Sequence, residues 1–326
     1  MVPRVFLAFA VIGGCFGFHA IAGSLEPVAR FTISARVQGL PWWSGNALLV
    51  LDRDGTALPL LRLIDAQGSE LPWAIQISIP EAVEVFVRGA SRAPDGTVVV
   101  CGMAIDKDGR RGTYIATFAH DGSMKMLIRT DPYKAYRVAV ARDGSFWTAG
   151  VEAANAAPPG STDTARDVLK PYLRSGLIRH FDASGKLLAS FLPQSTAKHL
   201  LDLVHPANYL AAGGERAGWY SAEDRRYVEI NAAGEVTDIT TRLPGPSAAV
   251  TGIAIINNGD VFAAVNYDDA GSRQHVICRL DRINQAWVPV RRENSHVLLY
   301  GAEGDVLVTE TLGQDSPRVT MLRVGE

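Results

Sequence analysis

The stretch Tyr136-Arg-Val-Ala-Val-Ala-Arg-Asp-Gly-Ser-Phe-Trp-Thr-Ala-Gly150 joins two strand-like runs through the dipeptide Asp143-Gly144. Glycine and asparagine accept the positive φ that tight hairpin turns require. A second stretch of the same form, Thr251-Gly-Ile-Ala-Ile-Ile-Asn-Asn-Gly-Asp-Val-Phe-Ala-Ala264, turns at Asn258-Gly259. Each stretch therefore predicts a β-hairpin, and their similarity indicates an internal repeat.

Turn signals of this kind recur along the whole chain at a period of roughly 50 residues. The first signal of each copy is Ser44-Gly45, Asp95-Gly96, Asp143-Gly144, Ala207-Asn208, Asn258-Gly259 and Glu303-Gly304. A second signal follows roughly 25 residues later: Gln67-Gly68, Asp121-Gly122, Ser184-Gly185, Ala233-Gly234, Ile283-Asn284 and the single Gly325. Two hairpins in a copy give four strands, so the six copies predict six four-stranded blades.

We call the four strands of a blade a, b, c and d in chain order, so that a and b flank the first turn signal and c and d flank the second. The last copy lacks a strand d of its own. After Arg318–Val324 the sequence stops at Glu326, while the segment Val28–Ile33 precedes the first strand of the first copy. An open ring would expose unpaired strand edges, so we expect this segment to complete the last blade. The predicted fold class is all-β, a six-bladed β-propeller closed by an N-terminal strand. It forms one domain over residues 23–326, with a loop insertion at 152–175 in the third blade.

The composition is that of an ordinary globular chain, with 47% hydrophobic residues and a net charge of −2. No basic stripe is visible, which argues against nucleic acid as a partner.

The N-terminus is typical of an export signal. Arg4 is the only charge before Glu26, an apolar run follows it, and Ala20-Ile21-Ala22 fits the small-x-small cleavage pattern. This predicts a signal peptide over residues 1–22 and a periplasmic or extracellular protein. The alternative is a lipoprotein box at Ile12-Gly13-Gly14-Cys15, with a lipid anchor on Cys15. No other run is long and apolar enough to cross a membrane.

Cys101 and Cys278 remain after cleavage. The repeat places Cys101 on the second strand of blade two and Cys278 on the third strand of blade five. Those blades are opposite in a ring of six, far beyond the Cα separation of about 7 Å that a disulfide tolerates. We predict two buried free thiols.

The hairpins 136–150 and 251–264 resemble the inner hairpins of six-bladed β-propellers of the NHL-repeat and gluconolactonase-like type, and the resemblance covers essentially the whole mature chain. Gluconolactonase-like propellers bind a divalent metal at the channel mouth with Glu, Asn and Asp residues. Only Glu84 and Asn294 match those ligand types here. The resemblance thus implies, as an alternative function, a metal-dependent hydrolase with a divalent ion such as calcium.

The loops divide between two faces of the predicted ring. The turns from strand a to b and from c to d are tight, whereas the b–c and d–a connections are longer and carry aromatic and charged residues. The candidate ligand-binding residues are Tyr172, Arg216, Trp219, Tyr220, Arg225 and Tyr267. We expect the deepest pocket here, between the blade-three insertion and the b–c loop of blade four. The predicted function is that of an exported, monomeric, non-enzymatic propeller without a cofactor, which binds a protein, peptide or glycan.

Overall fold

The computed structural model of the protein describes residues 24–33, 42–52, 58–72, 74–152, 176–193, 208–245, 247–312 and 317–325. These ranges contain 24 strands and no helix. The strands form six antiparallel sheets of four strands each, which confirms the predicted all-β, six-bladed architecture.

The strands follow one another along the chain in blade order. They are β1 Leu25–Thr32, β2 Trp42–Ser44, β3 Ala47–Asp52, β4 Leu60–Ile64, β5 Ile75–Gln76, β6 Ala82–Arg92, β7 Val98–Asp106, β8 Arg111–Phe118, β9 Met124–Arg129, β10 Tyr133–Val140, β11 Phe146–Glu152, β12 Gly176–Phe181, β13 Leu187–Pro193, β14 Tyr209–Gly213, β15 Arg216–Ser221, β16 Arg226–Ile230, β17 Val236–Thr240, β18 Ala249–Ile255, β19 Val261–Asp269, β20 Ser272–Asp281, β21 Ala286–Glu293, β22 Val297–Glu303, β23 Val306–Leu312 and β24 Pro317–Val324. Blade one is β2–β5, blade two β6–β9, blade three β10–β13, blade four β14–β17 and blade five β18–β21.

The sixth blade closes the ring with both ends of the described chain. Its sheet order is β22-β23-β24-β1, and β1 pairs antiparallel with β24 so that Phe31 lies opposite Val319. The predicted pairing of the N-terminal strand with the last strand is therefore confirmed.

Strand a is innermost in every blade. Each strand a contacts strand a of the next blade, from β2 to β6 and onward to β22, which contacts β2 again. The hydrophobic core lies between neighbouring sheets: Val50 of blade one packs with Val308 of blade six, and Ala264 of blade five packs with Leu307 of blade six.

Two glycines allow the inner strands to approach closely. A Cβ on Gly252 would lie 2.0 Å from the carbonyl oxygen of Leu299, and one on Gly301 would lie 2.5 Å from that of Trp43. Both glycines have a positive φ, +144° and +155°, which other residues rarely adopt. They bring strand a of blades five, six and one together around the axis.

Blade four corrects the predicted turn position. Its a–b turn is Gly214-Glu215, between β14 and β15, and not Ala207-Asn208. Asn208 is buried, and its side-chain oxygen accepts a hydrogen bond from the backbone of Ala222 at 3.0 Å. An asparagine used as a buried hydrogen-bond partner thus resembled a turn signal in the sequence.

The two cysteines lie where the repeat predicts them. Cys101 is on β7 and Cys278 on β20, and both are buried free thiols, as predicted. Burial raises the pKa of the Cys101 thiol to about 12 and raises the pKa of Cys278 as well. Both thiols are therefore inert packing groups.

Candidate functional site

The face formed by the a–b and c–d turns, here called the tight-turn face, is closed by one repeated device. An Asp or Asn side-chain oxygen accepts a backbone N–H two residues further along, or four residues further along at Asn231, at 2.8–3.0 Å. Among the described residues of this face this occurs at Asp65, Asp95, Asp121, Asp143, Asp182, Asn231, Asn258 and Asp281. The hydroxyls of Ser123 and Ser184 also donate to two of these carboxylates and lower the pKa of Asp121 and Asp182. These polar side chains therefore form their hydrogen bonds within their own turns.

The opposite face, formed by the b–c and d–a connections, is here called the long-loop face. Blades two and five each extend a hairpin on this side, with tips at 107–110 and at Ala270-Gly271. We call these hairpins the two prongs. These b–c connections, which the sequence predicts to be long, are short: four residues separate β7 from β8, and two separate β19 from β20. The b–c connections of blades one, three and six, at 53–57, 153–175 and 313–316, lie outside the described residues.

Trp219 and Tyr220 do not lie in a loop, so their predicted exposure on the long-loop face is wrong. They are consecutive residues of β15 and are 3% and 1% exposed. Trp219 packs with Trp147 on one side of the sheet, and Tyr220 packs with Trp287 on the other. A Trp-Tyr pair in a central strand faces both neighbouring blades because side chains alternate.

Arg216 lies on the tight-turn face, so its predicted position is also wrong. It follows the turn Gly214-Glu215 and donates to Glu229 at 2.8 Å. Buried Glu229 also accepts from Arg282 of blade five at 2.6 Å and from the Tyr227 hydroxyl at 3.1 Å. This network joins blade four to blade five and satisfies the carboxylate, which is a structural role.

Arg225 and Tyr267 remain on the long-loop face. Arg225 is exposed in the b–c turn of blade four at φ 51°, and its carbonyl accepts from the backbone of Thr241 at 2.8 Å. Tyr267 is half-buried near the end of β19, where its ring covers Gly245 so closely that a Cβ there would lie 2.5 Å from the ring. Tyr172 lies outside the described residues. Ligand binding by these residues stays a prediction.

The predicted metal ligands are exposed and belong to different elements. Glu84 is on β6 of blade two, and Asn294 lies between β21 and β22. Within the described part of the chain, no three His, Cys, Asp or Glu side chains are grouped so that they could hold a metal ion. The divalent-metal site also stays a prediction.

Sequence reasoning missed a polar cluster between blades five and six on the long-loop face. The amide nitrogen of Asn266 donates to Thr251 Oγ1 at 2.9 Å and to the Val297 carbonyl at 3.0 Å, and its oxygen accepts from the Val297 N–H at 3.1 Å. Because these partners fix the orientation of the amide, His275 Nδ1, which is 2.7 Å from the amide oxygen, must carry a proton.

With a proton on Nδ1, the neutral form of His275 has its lone pair on Nε2. Burial lowers its pKa, and the nearby His296 and Arg273 lower it further. The ring of His296 is 6.0 Å away, and its buried Nδ1 has no hydrogen-bond partner in the described structure. A neutral imidazole of fixed tautomer can accept a proton or bind a metal through Nε2. No short motif could reveal this cluster, since strand pairing alone brings 266, 275 and 297 together.

Two cavities of the described structure lie elsewhere than the predicted place on the long-loop face. The smaller, of about 360 Å³, is between blades two and three near Asp95 and Gly144; the other is on the ring axis. It has a volume of about 420 Å³ and is lined by the final residues of strand a in all six blades. Every blade contributes residues of its a–b turn region to the mouth of this cavity. They are Gly45, Pro94, Arg142, Gly214, Asn257 and, from blade six, Glu303 and Gly304. The predicted pocket is wrong in its blade-four half, because that half rested on the loop assignment of Trp219. Its blade-three half lies outside the described residues.

Comparison with known proteins finds similar solved structures but no family. No protein-family model matches the chain, and no curated protein matches its sequence. Among solved structures, a streptogramin B lyase is similar over 94% of this chain and 99% of its own, with 14% identity and a TM-score of 0.46. The lignostilbene dioxygenase of Pseudomonas brassicacearum is similar over 77% of this chain and 62% of its own, with 13% identity and a TM-score of 0.45. Both of these proteins are named as enzymes. At this sequence identity, the role of a residue in either of them cannot be assigned to a residue of this chain.

The six-bladed propeller class is thus shown, whereas no family model supports the NHL-repeat or gluconolactonase-like type in particular. Across the described residues, no helix has the length and apolar character needed to span a membrane. The expected signal peptide at 1–22 and the alternative anchor at Cys15 fall outside the described residues.

Proposed function

We propose that this protein is an exported, monomeric, non-enzymatic propeller that binds a protein, peptide or glycan through its long-loop face. The observation that supports the proposal is the difference between the two faces. On the tight-turn face the Asp and Asn side chains are bonded to their own turns. On the long-loop face Asp106 is likewise bonded to its own turn, at 2.8–2.9 Å, but the prongs also present exposed charged side chains that make no hydrogen bond or ion pair with the described residues.

The blade-two prong shows this best. Lys107 and Arg111 are exposed, and neither side chain has a hydrogen bond or ion pair among the described residues. On the blade-five prong, Asp269 is exposed, and Arg273 is 3.7 Å from Asp268 in a pair that is itself solvent-exposed. Such surface pairs contribute little to stability. Mixed charges on a rigid scaffold suit a polar partner, since they steer encounter and select among partners.

The test compares prong variants with a matched variant on the other face. The partner is captured by the mature protein from the envelope fraction of its own cells and identified, and its affinity is then measured with purified components. Lys107→Ser/Arg111→Ser and Asp269→Ser/Arg273→Ser should each weaken binding by about tenfold or more, or about 1.4 kcal/mol. The control Lys186→Ser/Arg323→Ser removes two exposed cations near the tight-turn face and should bind within about twofold of wild type. Loss of binding in the control with retention in both prong variants would place the partner on the wrong face and end the proposal.

A second candidate function is a hydrolase with a divalent ion at the channel mouth, in which a neutral His275 would act through Nε2 as a proton acceptor and not as a ligand of the calcium ion. Its test is hydrolysis of glucono-δ-lactone with and without calcium. A calcium-dependent rate that falls in Glu84→Gln and in His275→Gln, but not in the exposed control Glu223→Gln, would favour catalysis. The absence of any rate above the uncatalysed one would remove this candidate.

A further inference from the structure

The axial cavity has the size and lining of a small-molecule site. Its volume of about 420 Å³ falls in the range of roughly 300–1,000 Å³ that such sites occupy. Val138, Leu210 and Ile253 contribute to an apolar wall. Strand a is the end strand of every sheet, so its inner edge has no partner strand and offers backbone N–H and C=O groups to the channel.

Two charged residues face each other across the mouth of this cavity. Arg142 lies in the a–b turn of blade three and Glu303 at the end of strand a in blade six, and these blades are opposite in the ring. Neither side chain makes a hydrogen bond or an ion pair with any described residue. Arg142 is exposed and Glu303 is partly buried.

A third charged residue at the mouth, Arg92, makes hydrogen bonds within the protein and lies close enough to Glu303 to interact with it electrostatically. The Arg92 guanidinium donates to the carbonyl of Gly45, and the Arg92 carbonyl accepts from Ser44 Oγ at 2.7 Å. Burial lowers the pKa of Arg92, while Asp95 and Glu303 act in the opposite direction. Arg92 therefore joins blade one to blade two, whereas Arg142 and Glu303 have no hydrogen bond or ion pair with the described residues, although Glu303 is near enough to Arg92 to raise its pKa.

We propose that the axial cavity binds a short apolar peptide, a di- or tripeptide with both termini free. The C-terminal carboxylate would pair with Arg142, since a guanidinium and a carboxylate form paired, charge-assisted hydrogen bonds. The N-terminal ammonium would pair with Glu303 on the opposite side. The apolar side chains fill the wall between them, and the free edges of the inner strands take the peptide groups. A peptide suits this geometry better than a single amino acid because its two charges are separated along an extended backbone by about 3.3–3.6 Å per residue.

This site is separate from the long-loop face, so the two proposals fail independently. The probes are the peptides Ala-Leu and Ala-Leu-Leu, their N-acetylated forms, which lack the ammonium, and their C-terminal amides, which lack the carboxylate. Binding is measured by calorimetry on the mature chain. The free peptides should bind, and each cap should weaken binding by about tenfold or more.

Two variants assign the termini. In Arg142→Gln the free peptide and its amide should bind equally weakly, whereas acetylation should still weaken binding. In Glu303→Gln the free peptide and its acetylated form should bind equally weakly, whereas amidation should still weaken binding. Arg323→Gln, which removes an exposed charge near the tight-turn face outside the cavity lining, should bind like wild type.

The result expected is a free-peptide complex whose two cap effects are abolished by different variants. Three results would overturn the proposal: no binding of any free peptide, equal binding of free and capped peptides, or cap effects that persist unchanged in both variants. Binding of free leucine but not of Ala-Leu would also overturn it, since a single amino acid would then be the ligand.

Discussion

Glu310 places a carboxyl in the apolar interface between blades six and one. It lies on β23 and is 4% exposed, and it shares its side of the sheet with Val308 and Val319, which pack against blade one. It has no hydrogen-bond partner in the described structure. Burial raises the pKa of this carboxyl from its ordinary value of 4.5 to about 7. In the folded protein the group is therefore protonated at mildly acidic pH.

The sign of the pH effect follows from this raised pKa. The unfolded chain releases the proton near pH 4.5 and the folded chain only near pH 7. The contribution to stability is complete below about pH 4.5 and is lost as the pH rises through about 7. Glu310→Gln keeps the volume without the charge, so we expect it to stabilise the protein by about 1–3 kcal/mol at pH 8 and to change little at pH 4.5.

Urea denaturation at the two pH values measures this difference, with the exposed Glu223→Gln as control. Equal stability of Glu310→Gln and wild type at pH 8 would show that the carboxylate is ionised there without cost. The assignment of Glu310 to a dry interface would then be wrong.

At the same scale, individual site residues were the hardest feature to predict from sequence. Trp219 and Tyr220 follow Gly213-Gly214 and precede charged residues, which is typical of a loop, yet strand b of blade four begins at Arg216. A buried central strand needs apolar side chains on both faces, and an aromatic pair satisfies that need as well as a binding site would. Arg142 and Glu303 gave no signal because their relation exists only across the closed ring.

At the scale of elements, Asn266 connects two blades through a single side chain. Its amide replaces a strand partner for Val297 of blade six, donating to its carbonyl and accepting from its N–H. Asn266→Ala leaves both backbone groups without their partner, which costs about 1–3 kcal/mol. We expect a loss of about 2 kcal/mol in the free energy of unfolding, measured by denaturant titration.

The control is Asn294→Ala, because Asn294 is exposed and makes no side-chain hydrogen bond with the described residues. It should change stability by less than about 0.5 kcal/mol. A loss in Asn266→Ala no greater than in this control would mean that water replaces the amide and that the connection between blades five and six is unimportant.

Blade four shows where element prediction from turns fails. Ten of the turn dipeptides mark hairpins at the predicted places or within one residue of them. In nine of them a Gly has a positive φ, and in the turn at Ile283-Asn284 the positive φ is that of Gln285. Asn208 instead caps the backbone at Ala222, and the true turn uses Gly214 at φ +59°. Side-chain hydrogen bonding to the backbone and turn formation favour the same residue type, so sequence alone does not separate them.

At the scale of the molecule, the sequence predicts the number of blades and the closure of the ring. It does so because a closed ring requires every blade to be complete, which a single blade does not. Every sheet must bury both faces, so a missing strand at one end requires a spare strand at the other. The axial cavity and the cluster around His275 depend on which side chains meet between blades. These contacts between blades do not recur at a regular spacing in the sequence, so the repeat does not predict them.

The closure itself can be tested by removing β1. Leu25, Phe31 and Ile33 are 6%, 8% and 4% exposed, and the Phe31 ring lies against Gly68 of blade one, where an added Cβ would be 3.0 Å from the ring. Deleting residues 24–33 from the mature chain removes these contacts and frees the edge of β24, which we expect to cause aggregation and loss of cooperative unfolding. Size-exclusion chromatography and thermal melts provide the measurement.

A milder pair of variants keeps the test decisive if the truncated chain is not produced. Phe31→Ala should lower the free energy of unfolding by about 3–5 kcal/mol, since a large buried ring leaves a cavity at the seam. Val28→Ala, at a residue that is 43% exposed beside the register shift in β1, should cost less than about 1 kcal/mol. A monomeric truncation that unfolds in one cooperative transition, or a Phe31→Ala variant as stable as Val28→Ala, would show that blade six is stable without its N-terminal strand. The ring would then be held by contacts between the inner strands β22 and β2 rather than by the outer strand pair.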